Sequence, residues 1–180
     1  VGMAILANQA SGFLNTGNVP QRQGNSHPSL APYQDFPTAD GTMLLAIGND
    51  GQFKRFCDAA DHPEWAQDTR FASNTLRVHN RAALIPAMEA VTRTRSTADW
   101  VQLLEDKAVP CGPINTIAQA FDDPQVQARQ LRLEQDRFAD AAYAAEPQVV
   151  HRIASTASPL RLSEIPATLP HAPPPLGHHT

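Results

Sequence analysis

The stretch Pro32-Tyr-Gln-Asp-Phe-Pro-Thr-Ala-Asp-Gly-Thr-Met-Leu-Leu-Ala-Ile-Gly-Asn-Asp50 decides how the chain is to be read. Two apolar, strand-like runs, Tyr33 to Phe36 and Met43 to Ile47, flank Thr38-Ala-Asp-Gly41. Asp-Gly between such runs is a strong hairpin signal, because Gly accepts the positive φ that tight hairpin turns require. Directly afterwards, Asn49 or Asp50 is placed to cap a helix carrying Phe53, Phe56, Cys57 and Ala60 on one face.

Downstream the pattern is helical, and no Gly occurs between Gln52 and Cys111. His62-Pro63 fits a second helix start, with Pro at the first helical position. Asn74 to Arg93 places Leu84, Ile85, Met88 and Val91 on one stripe, and Pro86 inside it should kink the helix or mark its true start. Ser96-Thr-Ala-Asp99 reads as a capping box ahead of Trp100, Leu103 and Leu104, and Lys107 suits the negative helix end. Asp123-Pro124 begins a further short helix, and Leu131-Arg-Leu133-Glu alternates as a half-buried strand does. Upstream, Ile5, Leu6 and Phe13 sit at approximate helical spacing, with Gly17 as the stop. Seven prolines between Pro147 and Thr180 exclude a long helix there. The expected organisation is an N-terminal helical arm and linker (1–29), an α+β core (30–136) and an extended C-terminal arm (137–180).

Composition narrows the function. The 180 residues carry 14 basic and 18 acidic side chains, a net charge of −4 that argues against tracking nucleic-acid phosphates. No run approaches the roughly 18–20 apolar residues of a membrane span, and Val1 to Ala10 lacks the basic start of a signal peptide. Cytoplasm is the default location. Val1 in place of Met points to a piece of something longer. Cys57 and Cys111 cannot build a disulfide framework, and no spaced Cys/His set suggests a metal. His178-His179 near the chain end has no Cys or carboxylate beside it. Cys111, between Pro110 and Gly112-Pro113, reads as a small apolar side chain in a rigid turn. Asp122-Asp123 fits a helix N-cap better than acid/base work, and Trp65 and Trp100 read as core. No GxGxxG, GxxxxGK[ST], GxSxG or HExxH occurs.

One segment stands apart. Gln23-Gly-Asn-Ser-His27-Pro-Ser-Leu30 is polar, turn-rich and set directly before the first strand. Loops at element ends often carry sites on rigid scaffolds. Two readings of it stay open on residue chemistry alone: a functional loop, or a connector whose His27 satisfies backbone groups.

The run Gly24-Asn-Ser-His-Pro28, then Ala31-Pro-Tyr-Gln34, then Phe36-Pro-Thr-Ala-Asp-Gly41, resembles the central signature of the family III CoA-transferases. These are grouped with formyl-CoA and carnitine-CoA transferases and α-methylacyl-CoA racemase. The likeness continues through Gly48-Asn-Asp-Gly-Gln52, Arg55-Phe-Cys57, Asp68-Thr-Arg-Phe71, Arg77-Val-His-Asn80, Trp100, Val109-Pro-Cys-Gly-Pro113, Asp123-Pro-Gln125, Ser158-Pro-Leu-Arg-Leu-Ser163 and Pro173-Pro-Pro-Leu-Gly177, to His179-Thr180. It implies the small α+β domain of that family, a short antiparallel sheet with several helices. It also implies an Asp nucleophile upstream of Val1, in a Rossmann-like half that this chain lacks. The implied reaction is CoA transfer from an acyl-CoA thioester to a carboxylate through an Asp-bound anhydride, with no covalently bound cofactor. For these residues alone the expectation is catalytic silence. The resemblance places Gly24, Asn25 and His27 in the mobile segment over the thioester. There Gly24 would allow close backbone approach, Asn25 and backbone N–H groups would stabilise the intermediate's oxygen, and His27 stands where some relatives have Gly. Family members form interlocked dimers, so a homodimer through exchanged arms is expected, Ile5, Leu6, Phe13, Leu160 and Leu162 being too apolar to leave bare. The second reading is a stand-alone binding or dimerisation module without chemistry, still able to hold an acyl-CoA.

Overall fold

The hairpin forms from the residues expected of it. In the computed structural model, which describes residues 2–136, 152–160, 162–165 and 172, strand β1 (Tyr33–Pro37) pairs antiparallel with β2 (Thr42–Ala46), Phe36 facing Met43 across the ladder. The reason for its Asp-Gly differs from expectation, because Gly41 does not take a positive φ. The connection is a four-residue loop, closed by Thr38 N–H donating to Gly41 O at 3.0 Å and Gly41 N–H to Thr38 Oγ1 at 3.0 Å. Room favours Gly here, since a Cβ at Gly41 would lie 3.1 Å from Thr97 Oγ1 and press that hydroxyl back by a few tenths of an ångström. Asp40 Oδ1 reaches beyond the hairpin to accept from Thr97 N (2.8 Å) and Thr97 Oγ1 (2.9 Å). The backbone N–H of Thr97 first, and its hydroxyl second, hold the Asp40 carboxyl below its ordinary value.

The chain divides into two units, Val1–Ile114 and Asn115–Thr180. In the first, α1 (Gly2–Ile5) and α2 (Ala7–Thr16) precede the hairpin, and Gly17 ends α2 at φ +73°. After the hairpin, α3 (Asp50–Ala59) starts on Asn49, whose side chain accepts from Gln52 N, and it buries Phe53, Phe56 and Cys57. His62-Pro63 opens a single 3-10 turn (Pro63–Ala66) rather than an α-helix. The Asn74–Arg93 stretch is two helices, α4 (Asn74–His79) and α5 (Arg81–Thr92), parted at Asn80 rather than at Pro86. Asn80 Nδ2 donates to Leu76 O at 2.9 Å and Arg70 O at 3.1 Å, so an Asn side chain competes with the helix ladder there. Pro86 is accommodated inside α5 because it and Ala82, whose carbonyl it leaves unpaired, both lie on the exposed side.

Ser96 caps α6 (Thr97–Asp106), accepting from Asp99 N–H. Short strand β3 (Cys111–Pro113) then joins the edge of β2, with Cys111 opposite Leu45, so Cys111 lies in a strand where a rigid turn was expected. The core gathers Phe36, Met43 and Leu45 of the sheet with Phe56, Leu84 and Trp100 of the helices. Trp100 is fully buried, and its Nε1 donates to Thr92 O at 2.8 Å. Trp65 is half-buried at the margin of this core, its ring stacked 4.3 Å from that of His62.

The second unit opens with a helix the periodicity did not mark, α7 (Ile117–Asp122), started by a reciprocal Thr116–Gln119 capping box. The Asp123 carboxylate accepts from Gln125 N and Val126 N at the head of α8 (Pro124–Ala128). Strand β4 (Arg132–Asp136) pairs antiparallel with β5 (Arg152–Thr156), Leu133 opposite Ser155. His178, His179 and Pro173 to Gly177 lie outside the described residues. Helices with small antiparallel sheets make the fold α+β.

At the centre of the first unit lies an arginine. Arg77 of α4 has no exposed surface, yet every donor group finds a partner. Its Nε donates to Ala31 O at 2.7 Å, Nη1 to Phe71 O at 3.0 Å and Nη2 to Asp50 Oδ1 at 2.7 Å, with its guanidinium 4.4 Å from the centre of the Phe53 ring. Replacing it by Met keeps the volume but strands two buried carbonyls. Arg77→Met should therefore destabilise the protein by about 3 kcal/mol. Urea unfolding monitored by Trp fluorescence measures this, and an unchanged midpoint would show that the network is not holding the unit together.

Candidate functional site

The polar loop ahead of β1 is built from the backbone outward. Ser26 N–H donates to Gln23 O at 3.2 Å, closing a turn in which Gly24 takes φ +62°. No atom lies within 4 Å of where a Gly24 Cβ would stand, so Gly is required by backbone conformation and not by crowding. His27 N–H donates to Tyr33 O at 2.9 Å, and Ser26 Oγ donates to Gln34 Oε1 at 3.1 Å, tying the loop to the first strand.

From the helical side, three side chains hold the same segment. Arg81 Nη2 donates to His27 O (3.1 Å) and reaches Pro28 O (3.4 Å). Asn74 Nδ2 donates to Ser29 O (2.8 Å), while its Oδ1 accepts from Ala31 N (3.2 Å). Arg77 holds Ala31 O. Polar residues at 74, 77 and 81 thus grip the carbonyls of 27, 28, 29 and 31. Beside them lies an open depression of about 420 Å³, lined by Gln23, Ser26, Pro28, Val78 and Arg81.

The three residues the sequence singled out are adjacent but differently placed. Gly24 and Asn25 are exposed at the tip; their backbone N–H groups have no acceptor among the described residues, and neither does the Asn25 amide. His27 is half-buried, its ring edge-on to Tyr33 at 5.2 Å, and its Nδ1 accepts from Ser29 N at 3.1 Å. That nitrogen is engaged in shaping the loop. The tip therefore offers free hydrogen-bond donors and no nucleophile. The Ser26 hydroxyl gives its proton to an amide oxygen rather than to a base.

The thiols are no better placed to attack. Burial pushes the Cys57 thiol up to about 12 and raises that of Cys111, whose Sγ lies 3.8 Å from Val101 O. Among the described residues, no three His, Cys, Asp or Glu side chains gather as a metal site would require. No helix among them is long and apolar enough to cross a membrane.

A family model described as CoA-transferase family III matches residues 1–180. The chain belongs to CoA-transferase family III. It is 39% identical over 179 residues to the succinate–glutarate CoA-transferase of Agrobacterium fabrum, covering 99% of this chain and 42% of that protein. With the human succinyl-CoA:glutarate CoA-transferase it shares 33% over 178 residues, 99% of this chain and 38% of the other. A solved CAIB/BAIF family protein from Brucella suis superposes with a TM-score of 0.77 at 39% identity, covering 98% of this chain and 43% of that one. The chain thus spans about two fifths of the length of the curated relatives it matches.

The residues that hold the loop are Asn74, Arg77 and Arg81; sequence reasoning offered Asn74 as the start of a helical stretch and Arg77 within a motif fragment, and missed Arg81. They fall on two helices, α4 and α5, and meet the loop across long separations in sequence, so no local spacing marked them.

Proposed function

We propose that this chain is the small-domain portion of a CoA-transferase that moves coenzyme A between dicarboxylates, and that the Gly24–Ser29 loop faces the reacting thioester. The observation that carries this is the 39% identity, along almost the whole chain, to an enzyme named for succinate and glutarate. Relatives named for mesaconate and for citramalate support the dicarboxylate class.

In the proposed reaction, an Asp carboxylate outside these residues attacks the thioester carbonyl of the donor acyl-CoA. The C–S bond breaks and CoA thiolate leaves an acyl–aspartyl anhydride. The thiolate then attacks the aspartyl carbonyl, releasing the donor acid and leaving CoA as an aspartyl thioester. The acceptor carboxylate displaces that thiolate in turn, and its return to the acceptor's acyl carbon regenerates the Asp. Each attack places negative charge on a carbonyl oxygen. The unpaired N–H groups of Gly24 and Asn25 and the Asn25 amide are donors of the kind that stabilise such an oxygen, at a tip where glycine lets the backbone come close.

Assembly follows from the arms. Ile5 and Leu14 are 77% and 78% exposed, and Leu160 is 65% exposed, so a second copy exchanging arms is the proposed cover. Light scattering should give twice the protomer mass; a monomer at micromolar concentration would oppose it.

Two arms of one kinetic experiment test the function. Supplied alone with succinyl-CoA and glutarate, the 180 residues should produce no glutaryl-CoA above background. In an enzyme of full family length carrying them, Asn25→Ala should lower turnover at least about tenfold with folding intact. Unchanged turnover in that variant would reduce the loop to a connector, and transfer by the isolated residues would overturn the missing-nucleophile account.

A further inference from the structure

The loop's tip offers donors, but a donor is useful only where it is held. An oxyanion-stabilising N–H acts within a few tenths of an ångström of its proper place, and a misplacement of about 1 Å can cost around a hundredfold in rate. What fixes this tip is visible in the helices behind it. Resting on the functional reading above, we propose that Arg81 is the positioning residue of the Gly24–Ser29 loop, with Asn74 anchoring the loop's downstream end.

Three observations distinguish Arg81 from an ordinary structural arginine. First, its hydrogen bonds go to two consecutive backbone carbonyls, His27 O and Pro28 O, rather than to a carboxylate of the kind that Arg70, Arg77, Arg95, Arg132 and Arg152 pair with; Arg55 also holds a carbonyl, but a single one, Ala108 O. A guanidinium presents several donors in a fixed planar fork, and here it meets consecutive backbone carbonyls. Second, those carbonyls lie two and three residues beyond Asn25, closer to the tip than the Ser29 carbonyl held by Asn74 or the Ala31 carbonyl held by the fully buried Arg77. The grip is graded along the segment: Arg77 fixes where the strand begins, Asn74 where the loop ends, and Arg81 the peptide groups next to the tip. Third, Arg81 is half-buried and borders the open depression, so shortening it enlarges a solvent-connected space and leaves the core packing untouched.

A residue of this kind should act on the step in which charge develops more than on substrate capture. Donors that engage most strongly in the transition state lower kcat when displaced and leave KM largely unchanged. The test uses Arg81→Ala and Arg81→Lys in an enzyme of full family length, with steady-state kinetics and amide hydrogen exchange on the same preparations. Arg81→Ala should lower kcat about tenfold or more, keep KM for succinyl-CoA within about twofold and shift Tm by less than about 3 °C. Exchange at the His27 and Ser29 amides should quicken together with the loss of kcat. Lys, which keeps the charge but lacks the planar fork, should recover only part of both.

Unchanged kcat in Arg81→Ala overturns the proposal. So does a kcat loss with exchange at 26–29 unaltered, which would place the effect elsewhere. A rise in KM with kcat preserved would make Arg81 a binding residue, and equally contradicts positioning. If the unmutated enzyme transfers no CoA, the functional reading falls by itself. Hydrogen exchange then judges the grip independently: faster exchange in Arg81→Ala upholds it, and unchanged exchange removes it.

Discussion

A buried guanidinium organises the larger unit of this protein. Arg77 draws together three pieces of chain that no local propensity would join: the start of β1 at Ala31, the segment ending at Phe71 and the head of α3 at Asp50. A charge with no exposed surface is costly unless it is paired and hydrogen-bonded, and here each of the three guanidinium nitrogens donates one bond, two to carbonyls and one to a carboxylate, beside the Phe53 ring. The Asp50 side chain remains 57% exposed, so the carboxylate keeps much of its hydration and only the arginine is fully withdrawn from water. The arrangement favours a single geometry, because shifting any of the three segments would strand a polar group away from solvent.

From that point the order of the unit propagates in two directions. Toward α6, the hairpin is fixed by Asp40 bonding to Thr97 and by the absence of a Cβ at Gly41. Toward the loop, Asn74 and Arg77 of α4 and Arg81 of α5 hold four carbonyls while the N–H groups of Gly24 and Asn25 have no acceptor among the described residues. Held carbonyls beside free donors are the asymmetry that an oxyanion-stabilising segment requires: rigid on the side away from the substrate, unsatisfied on the side toward it. The catalytic carboxylate in the proposed reaction belongs to another part of the enzyme. In that reaction the small domain would contribute a preorganised wall rather than a reacting group.

Local features were legible in the sequence because their causes are local. The Asp-Gly hairpin, the Asn49 and Ser96 caps and the Asp123-Pro124 helix start each depend on residues within a few positions of one another, and all formed. Misplaced details came from competition that periodicity does not weigh. Asn80 breaks the long helical stripe because its amide reaches Arg70 O as well as Leu76 O, while Pro86 costs little on an exposed face. Gly41 serves room rather than φ because Thr97, far along the chain, packs against it. For the site, Gly24 and Asn25 were visible as a turn-rich tip, but their supports were not. Asn74, Arg77 and Arg81 meet the loop across separations of 45, 46 and 54 residues, and nothing in the pattern of a helix announces which backbone its polar face will hold. Membership of the family was legible through many short collinear motifs, each weak by itself.

The central claim is that this framework aims the loop tip at a thioester. The most direct measurement is a crystal structure of an enzyme of full family length carrying these residues, with succinyl-CoA bound. The thioester carbonyl oxygen should lie within about 3.2 Å of a donor from Gly24 or Asn25, with Arg81 still on the carbonyls of His27 and Pro28. A thioester seated out of hydrogen-bonding reach of that tip would contradict it.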